Sequence, residues 1–167
     1  MRVLGIDPGT AITGYGLVDF DGELRLVHSG AILTPSGLAL PQRLLLIHRE
    51  LSELIQRYQP DAAAVEELFF SKNVRTAMSV GQARGVILLA AAQAGLPIYH
   101  YKPSEVKQAV AGYGAAAKPQ MQEMVRLLLG LETVLSPDDV ADAVAIAICH
   151  AHGAQWNQLL IDDGAPG

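Results

Sequence analysis

Val3-Leu4-Gly5-Ile6-Asp7-Pro8-Gly9-Thr10 reads as a buried strand that stops on a carboxylate. Val3, Leu4 and Ile6 form an apolar run too short for a helix and bounded by Pro8-Gly9. Pro8 fixes φ and lacks an amide donor, so strand pairing should end beside it. Asp7 then stands at the C-terminal end of a rigid strand, the edge where ligands and catalytic groups collect in open α/β sheets. A plain alternative makes Asp7 an Asx-turn residue opening the Asp-Pro-Gly turn.

Working outward, residues 13–20 read as a second strand, and Asp21-Gly22 is a strong hairpin signal. Residues 24–33 supply a third strand, completing an antiparallel start. Residues 40–58 follow helical spacing, with Leu44, Ile47, Leu51, Leu54 and Ile55 on one face. The helix is a crossover to a short apolar strand, Ala62-Ala63-Ala64-Val65-Glu66-Glu67, expected to be parallel. This strand also ends on carboxylates. Adjacent strand residues point to opposite faces, so at most one of Glu66 and Glu67 aims with Asp7. Both also suit a solvated strand end.

Residues 76–94 predict a long Ala-rich helix in which Gly81 and Gly85 share a face, suited either to packing on the sheet or to a dimer seam. A fifth strand over 98–101 and helices over 102–110 and 120–129 follow. Gly112-Tyr113-Gly114 before Lys118 is no Walker A loop, because the Gly-Lys-Ser/Thr is missing.

Ser136-Pro137-Asp138-Asp139-Val140-Ala141-Asp142 opens the last helix, with Ser136 as N-cap and Pro137 at the first helical position. First-turn acids suit the macrodipole, which accounts for Asp138 and Asp139 without function. Asp142 is harder to place. The helix is apolar nearly all round through Ile148 and should be buried, where an unpaired carboxylate costs several kcal/mol. Asp139 and Asp142 are three apart and share a face, so a cation facing the pair would remove that cost. His150 and His152 do not share a face and read as structural or exposed. Gly153 is expected to end the helix and a single domain, 1–153, leaving 154–167 as a loose tail on which Trp156, Leu159 and Leu160 can dock.

At 167 residues, half of them apolar and 17% charged, the chain is sized for one globular domain. One cysteine, Cys149, rules out an internal disulfide and a Cys-based zinc site. Nothing resembles a signal peptide or a membrane span, so a cytoplasmic protein is expected. The net charge of −5 argues against a nucleic-acid partner until its distribution is considered. Residues 71–130 carry seven basic and two acidic side chains, against five and fifteen elsewhere. That asymmetry suits either a polyanion site or differing solvated faces. Leu68-Phe69-Phe70 beside Lys72 and Arg75 offers a base-stacking wedge or, more plainly, core aromatics, the reading preferred for Phe70.

Carboxylates at two strand ends and on one buried helix face are the donor set for hard divalent metals. Two such ions about 4 Å apart activate water and stabilise a leaving 3′ oxygen in phosphodiester hydrolysis.

These residues resemble the RuvC family of Holliday junction resolvases, crossover junction endodeoxyribonucleases, from residue 2 to about 152. Gly5-Ile6-Asp7-Pro8-Gly9-Thr10 with Thr13-Gly14-Tyr15-Gly16 matches the family's first motif, and Glu66 with Phe69 and Lys72-Asn73 its second. Gly81-Gln82-Ala83-Arg84-Gly85, Val106-Lys107-Gln108 and Asp139-Val140-Ala141-Asp142-Ala143 match later ones. The resemblance implies an RNase H-like α/β fold, a five-stranded mixed sheet with helices on both faces. It implies Asp7, Glu66, Asp139 and Asp142 as catalytic ligands of Mg²⁺, or Mn²⁺, two ions per site, with Glu67 and Asp138 as neighbours. Lys107 and Lys118 fall on lysines near the active site and Phe69 on an aromatic at the unpaired crossover bases; Lys72 continues the second motif, and with Arg75 it is expected to bind DNA from the aromatic-basic pattern of the sequence. Glu67 and Pro119 look like departures from the family pattern. The implied protein is a homodimer that nicks strands of like polarity in four-way junction DNA, leaves 5′-phosphate and 3′-hydroxyl ends, and works with a branch-migration motor of RuvA and RuvB type. The alternatives are a catalytically silent junction-binding module and an actin-like ATPase; the second needs another nucleotide-binding half, for which this length has no room.

Overall fold

The computed structural model describes residues 1–67 and 74–162, the stretch from 155 by backbone alone. Strands β1 (Arg2–Asp7), β2 (Ile12–Phe20) and β3 (Leu24–Leu33) come first. Helix α1 (Leu40–Tyr58) leads to β4 (Ala62–Glu66), and α2 (Val74–Gln93) to β5 (Ile98–Tyr101). Helices α3 (Pro103–Ala111), α4 (Lys118–Leu128) and α5 (Asp138–Asp162) complete the chain. The strands form one sheet in the order β3-β2-β1-β4-β5. β1, β2 and β3 pair antiparallel, whereas β4 runs parallel to both β1 and β5. This is the mixed sheet expected from the hairpin signal at Asp21-Gly22 and the helical crossovers. Gly22 turns the first hairpin with φ of 107°, a conformation that favours glycine.

The two faces of the sheet carry separate cores. Leu4, Ile6, Leu17, Ala63 and Val65 pack against Ile47, Leu51 and Ile55 of α1 and Ala83 and Ile87 of α2. Val3, Val18 and Ala64 pack on the other face against α3, α4 and the α5 run Val144–Cys149. Because strand residues alternate, Val3, Gly5 and Asp7 face α5, while Leu4 and Ile6 face α1 and α2.

Three glycines let α5 lie directly on the strands. A Cβ on Gly5 would sit 2.0 Å from the Ala143 carbonyl oxygen, and one on Gly16 2.2 Å from Val144 Cγ2. A Cβ on Gly14 would sit 2.0 Å from the Asp139 carbonyl oxygen. Gly5 and Gly16 are register partners on β1 and β2, and Gly14 pairs with Asp7. The missing side chains thus form a shallow bed for the start of α5.

Two expectations need correction. α5 continues through Gly153 to Asp162, so Gly153 does not end it. A glycine inside a helix costs only about 1 kcal/mol relative to alanine, too little to stop a long helix on its own. The helix also begins at Asp138, so Pro137 precedes it rather than filling its first position. Smaller shifts affect α2, which starts at Val74, and α4, which starts at Lys118 with Pro119 in its first turn. Gly112 caps α3 in the left-handed region at φ 84°, which accounts for one glycine of the Gly112-Tyr113-Gly114 loop. Among the described residues, no helix is long and apolar enough to cross a membrane.

Candidate active site

The site is assembled at the ends of β1 and β4 and the start of α5. Ile6 is paired with Val65, so the next residues, Asp7 and Glu66, end neighbouring parallel strands side by side. On β4, Ala64 belongs to the α5-facing core, whereas Ala63 and Val65 belong to the other. Alternation therefore turns Glu66 toward α5 with Asp7, and Glu67 away. That settles which of the two glutamates joins Asp7.

The turn after Asp7 is tied down. The Thr13 hydroxyl donates to the Gly9 carbonyl at 2.6 Å, and the Thr34 hydroxyl donates to the Thr10 carbonyl. The Thr34 amide donates to the Ala11 carbonyl at 3.1 Å. The Thr10 and Ser79 hydroxyls bond each other, joining this turn to α2. On β4, Arg84 Nε donates to the Glu66 carbonyl at 3.3 Å, and its terminal nitrogen meets His100 Nδ1 at 2.9 Å. These contacts hold the backbone that carries two of the acids.

The electrostatics are those of acids sharing one low-dielectric space. The Asp7 carboxyl is pushed up to about 8, first by burial and then by Asp142, Glu66 and Asp139. Glu66 is raised by burial and by Asp142, against the pull of Lys107 and Lys118. Asp142 is also raised, first by burial, with Lys118 opposing. Carboxylates that hold one another's protons in this way gain from a cation among them.

Lys118 brings a cation from the protein to these acids. Its ammonium pairs with Asp138 and, at 3.1 Å, with Asp142 Oδ2. As the side chains stand, no three His, Cys, Asp or Glu groups among the described residues are gathered as ligands of one ion. The all-oxygen donor set nevertheless fits a hard divalent cation, and the raised Asp7 carboxyl marks where charge compensation is missing. Ligation would require Asp142 to exchange Lys118 for the ion.

Two clefts flank the acids. One, of about 210 Å³, is lined by Glu66, Lys107, Lys118 and Asp142 together with Val106 and Met121. The other, of about 450 Å³, is lined by Gly9, Thr10, Arg75, Ser79 and Asp139. The structure therefore brings Asp7, Glu66, Asp139, Asp142, Lys107 and Lys118 to one end of the sheet, with Arg75 lining the second cleft together with Asp139. Phe69, Phe70 and Lys72 lie outside the described residues. His150 is structural: it is buried, and its Nδ1 meets the Tyr101 hydroxyl at 2.7 Å. His152 lies edge-on to Phe20 at 6.3 Å between ring centroids.

Sequence reasoning missed three contributors. Arg84 was visible in Gly81-Gln82-Ala83-Arg84-Gly85, but its bond to the Glu66 carbonyl is tertiary. Asp138 reads as an ordinary first-turn acid, and nothing local predicts its pairing with Lys118. Gly14 gave no sign that Asp139 would rest on it.

Residues 3–150 match the family described as crossover junction endodeoxyribonuclease RuvC. The protein of that name from Chloroflexus aggregans is 67% identical over 155 residues, covering 92% of this chain and 94% of the relative. That from Pelotomaculum thermopropionicum is 55% identical over 161 residues, covering 96% and 98%. Thermus thermophilus RuvC in complex with Holliday junction substrate superposes with a TM-score of 0.90 at 43% identity, covering 94% of this chain and 96% of that one. The yeast mitochondrial resolvase Ydc2 shares the fold at 16% identity and a TM-score of 0.62.

Proposed function

The chain belongs to the RuvC family of crossover junction endodeoxyribonucleases, and from that premise we propose that Asp7, Glu66, Asp139 and Asp142 are its catalytic metal ligands. It is a Holliday junction resolvase, and catalysis in the family depends on a divalent metal. The observation that carries the assignment of residues is the convergence of four acids from three elements beside two lysines. The metal is Mg²⁺ or Mn²⁺, two ions per site. When bound, these ions lower the pKa of water and offset charge on the leaving 3′ oxygen. Lys107 and Lys118 place positive charge where negative charge grows on the phosphate in the transition state. Arg75, in the cleft that Asp139 also lines, and Lys72 hold the strand through its phosphates, and Phe69 stacks on the unpaired bases at the crossover. The products carry 5′-phosphate and 3′-hydroxyl ends.

A second copy of the chain supplies the second nick. Val74, Met78 and Leu89 of α2 are 74%, 63% and 52% exposed, and their spacing sets them on one stripe with Gly85. Such a stripe supports a two-fold seam that presents two equivalent sites to a two-fold junction. Leu89→Asp is expected to shift the dimer to monomer in sedimentation and to uncouple the paired nicks into single ones. A branch-migration motor of RuvA and RuvB type delivers the junction, in the cytoplasm.

The test is cleavage of a synthetic four-way junction beside linear duplex of the same sequence, in Mg²⁺, Mn²⁺ or chelator. Paired, metal-dependent nicks confined to the junction are expected. Asp142→Asn should abolish those nicks while junction affinity measured in chelator stays within about twofold, because it removes a ligand and no phosphate contact. Loss of binding would make Asp142 a structural residue.

A further inference from the structure

The Lys118 ammonium is shared between two carboxylates of different standing. Asp142 belongs to the acid cluster around Asp7, whereas Asp138 is 47% exposed at the first residue of α5, is not among the acids that raise Asp7, and reaches the cluster only through its neighbours Asp139 and Asp142. Lys118 is itself the first residue of α4, where the macrodipole disfavours a positive charge and no acid follows in the first turn. Its placement therefore serves something other than its own helix. The side chain is 51% exposed, and a lysine without a partner there samples many rotamers in solvent. Asp138, fixed on the start of α5 and facing the start of α4, restricts it to the rim of the cleft that Glu66, Lys107 and Asp142 line.

We propose that Asp138 is a positioning residue that tethers Lys118 beside the active site, so that the lysine stays in place for phosphate when Asp142 turns to a metal ion. The inference rests on the roles given above to Asp142 and Lys118. With Asp138 present, the ion displaces only one of the two ion pairs. Without it, Lys118 has Asp142 alone and competes with the ion for that carboxylate.

The experiment is a double-mutant cycle on the full chain with D138N, K118M and the double variant. It reads single-turnover junction cleavage, junction affinity in chelator, and Mn²⁺ binding by calorimetry without DNA. K118M is expected to slow cleavage about 100-fold, and D138N about tenfold with junction affinity within about twofold of wild type. In the K118M background, D138N should slow cleavage by less than about twofold more, since a tether has no effect once its load is gone. D138N should weaken Mn²⁺ binding severalfold, an effect that K118M abolishes, and D138E should recover most of the rate. Additive losses would overturn the proposal, because Asp138 would then act without Lys118. K118M slow with D138N at the wild-type rate would overturn the tether alone and leave the role of Lys118 standing. K118M at the wild-type rate would overturn both.

Discussion

Asp7→Asn is expected to abolish junction cleavage and, in chelator, to make the protein more stable than the wild type at pH 8 and above. The loss of activity follows from removing the acid at the centre of the cluster, and it should be at least about 10²–10³-fold. The gain in stability follows from the same carboxyl. Its ordinary value is 3.8, and in the fold burial and three neighbouring acids push it up to about 8. Between those values the folded chain holds a proton that the unfolded chain has released. The contribution of this carboxyl to stability is therefore fully present below about pH 4 and is lost as pH rises through 8, by on the order of several kcal/mol for a shift of this size. Asparagine has no charge to suppress, so the variant should lose that part of the slope. Mg²⁺ or Mn²⁺ should flatten the slope in the wild type by compensating the ionised form. Melting temperatures from pH 4 to 9, in chelator and in metal, test all three statements. Identical pH profiles for wild type and variant in chelator would remove Asp7 from the acid cluster, whatever happened to cleavage.

The strand ends were legible because their signals are local. A short apolar run, a proline and a carboxylate place Asp7, and Ala62-Ala63-Ala64-Val65 places Glu66 in the same way. The choice between Glu66 and Glu67 was not local, since it depends on the register that sets Val65 beside Ile6. Asp142 was conspicuous as a charge on an otherwise apolar helix, and α5 is indeed the helix that both Gly5 and Gly16 contact. The length of α5 was misjudged because a glycine ends a helix only when nothing beyond it favours continuing. Asp138 and Arg84 escaped for a common reason. Each acts through a partner on another element, Lys118 on α4 and the Glu66 carbonyl on β4, and neither partnership leaves a periodic trace. Phe69 and Lys72 rest on the aromatic-basic pattern of the sequence and on the resemblance.

Gly5→Ala is expected to cost both stability and activity, more than any other one-carbon change in β1. The added Cβ would meet the Ala143 carbonyl oxygen at 2.0 Å, the Ala147 amide nitrogen at 2.7 Å and the Ala147 Cβ at 2.9 Å. Two of these are backbone atoms of a buried helix, so no side chain can swing aside to make room. Either α5 lifts from the sheet or β1 bends away from it, and overpacking of this kind costs about 3 kcal/mol or more. Asp142 immediately precedes Ala143 and Asp139 sits about one turn before it, on the same rigid helix, while Asp7 sits two residues along the strand. A lift of α5 therefore separates the acids that metal binding must bring together. Cleavage should fall by more than the folded fraction does, and the excess should persist at a temperature where the variant is fully folded. Gly16→Ala provides the comparison. Its Cβ would press on Val144 Cγ2 at 2.2 Å, but the end of a side chain can yield where a carbonyl cannot. Its losses should be the smaller of the two. Equal losses would mean that the spacing of α5 is set elsewhere, and that the glycine bed does not position the carboxylates.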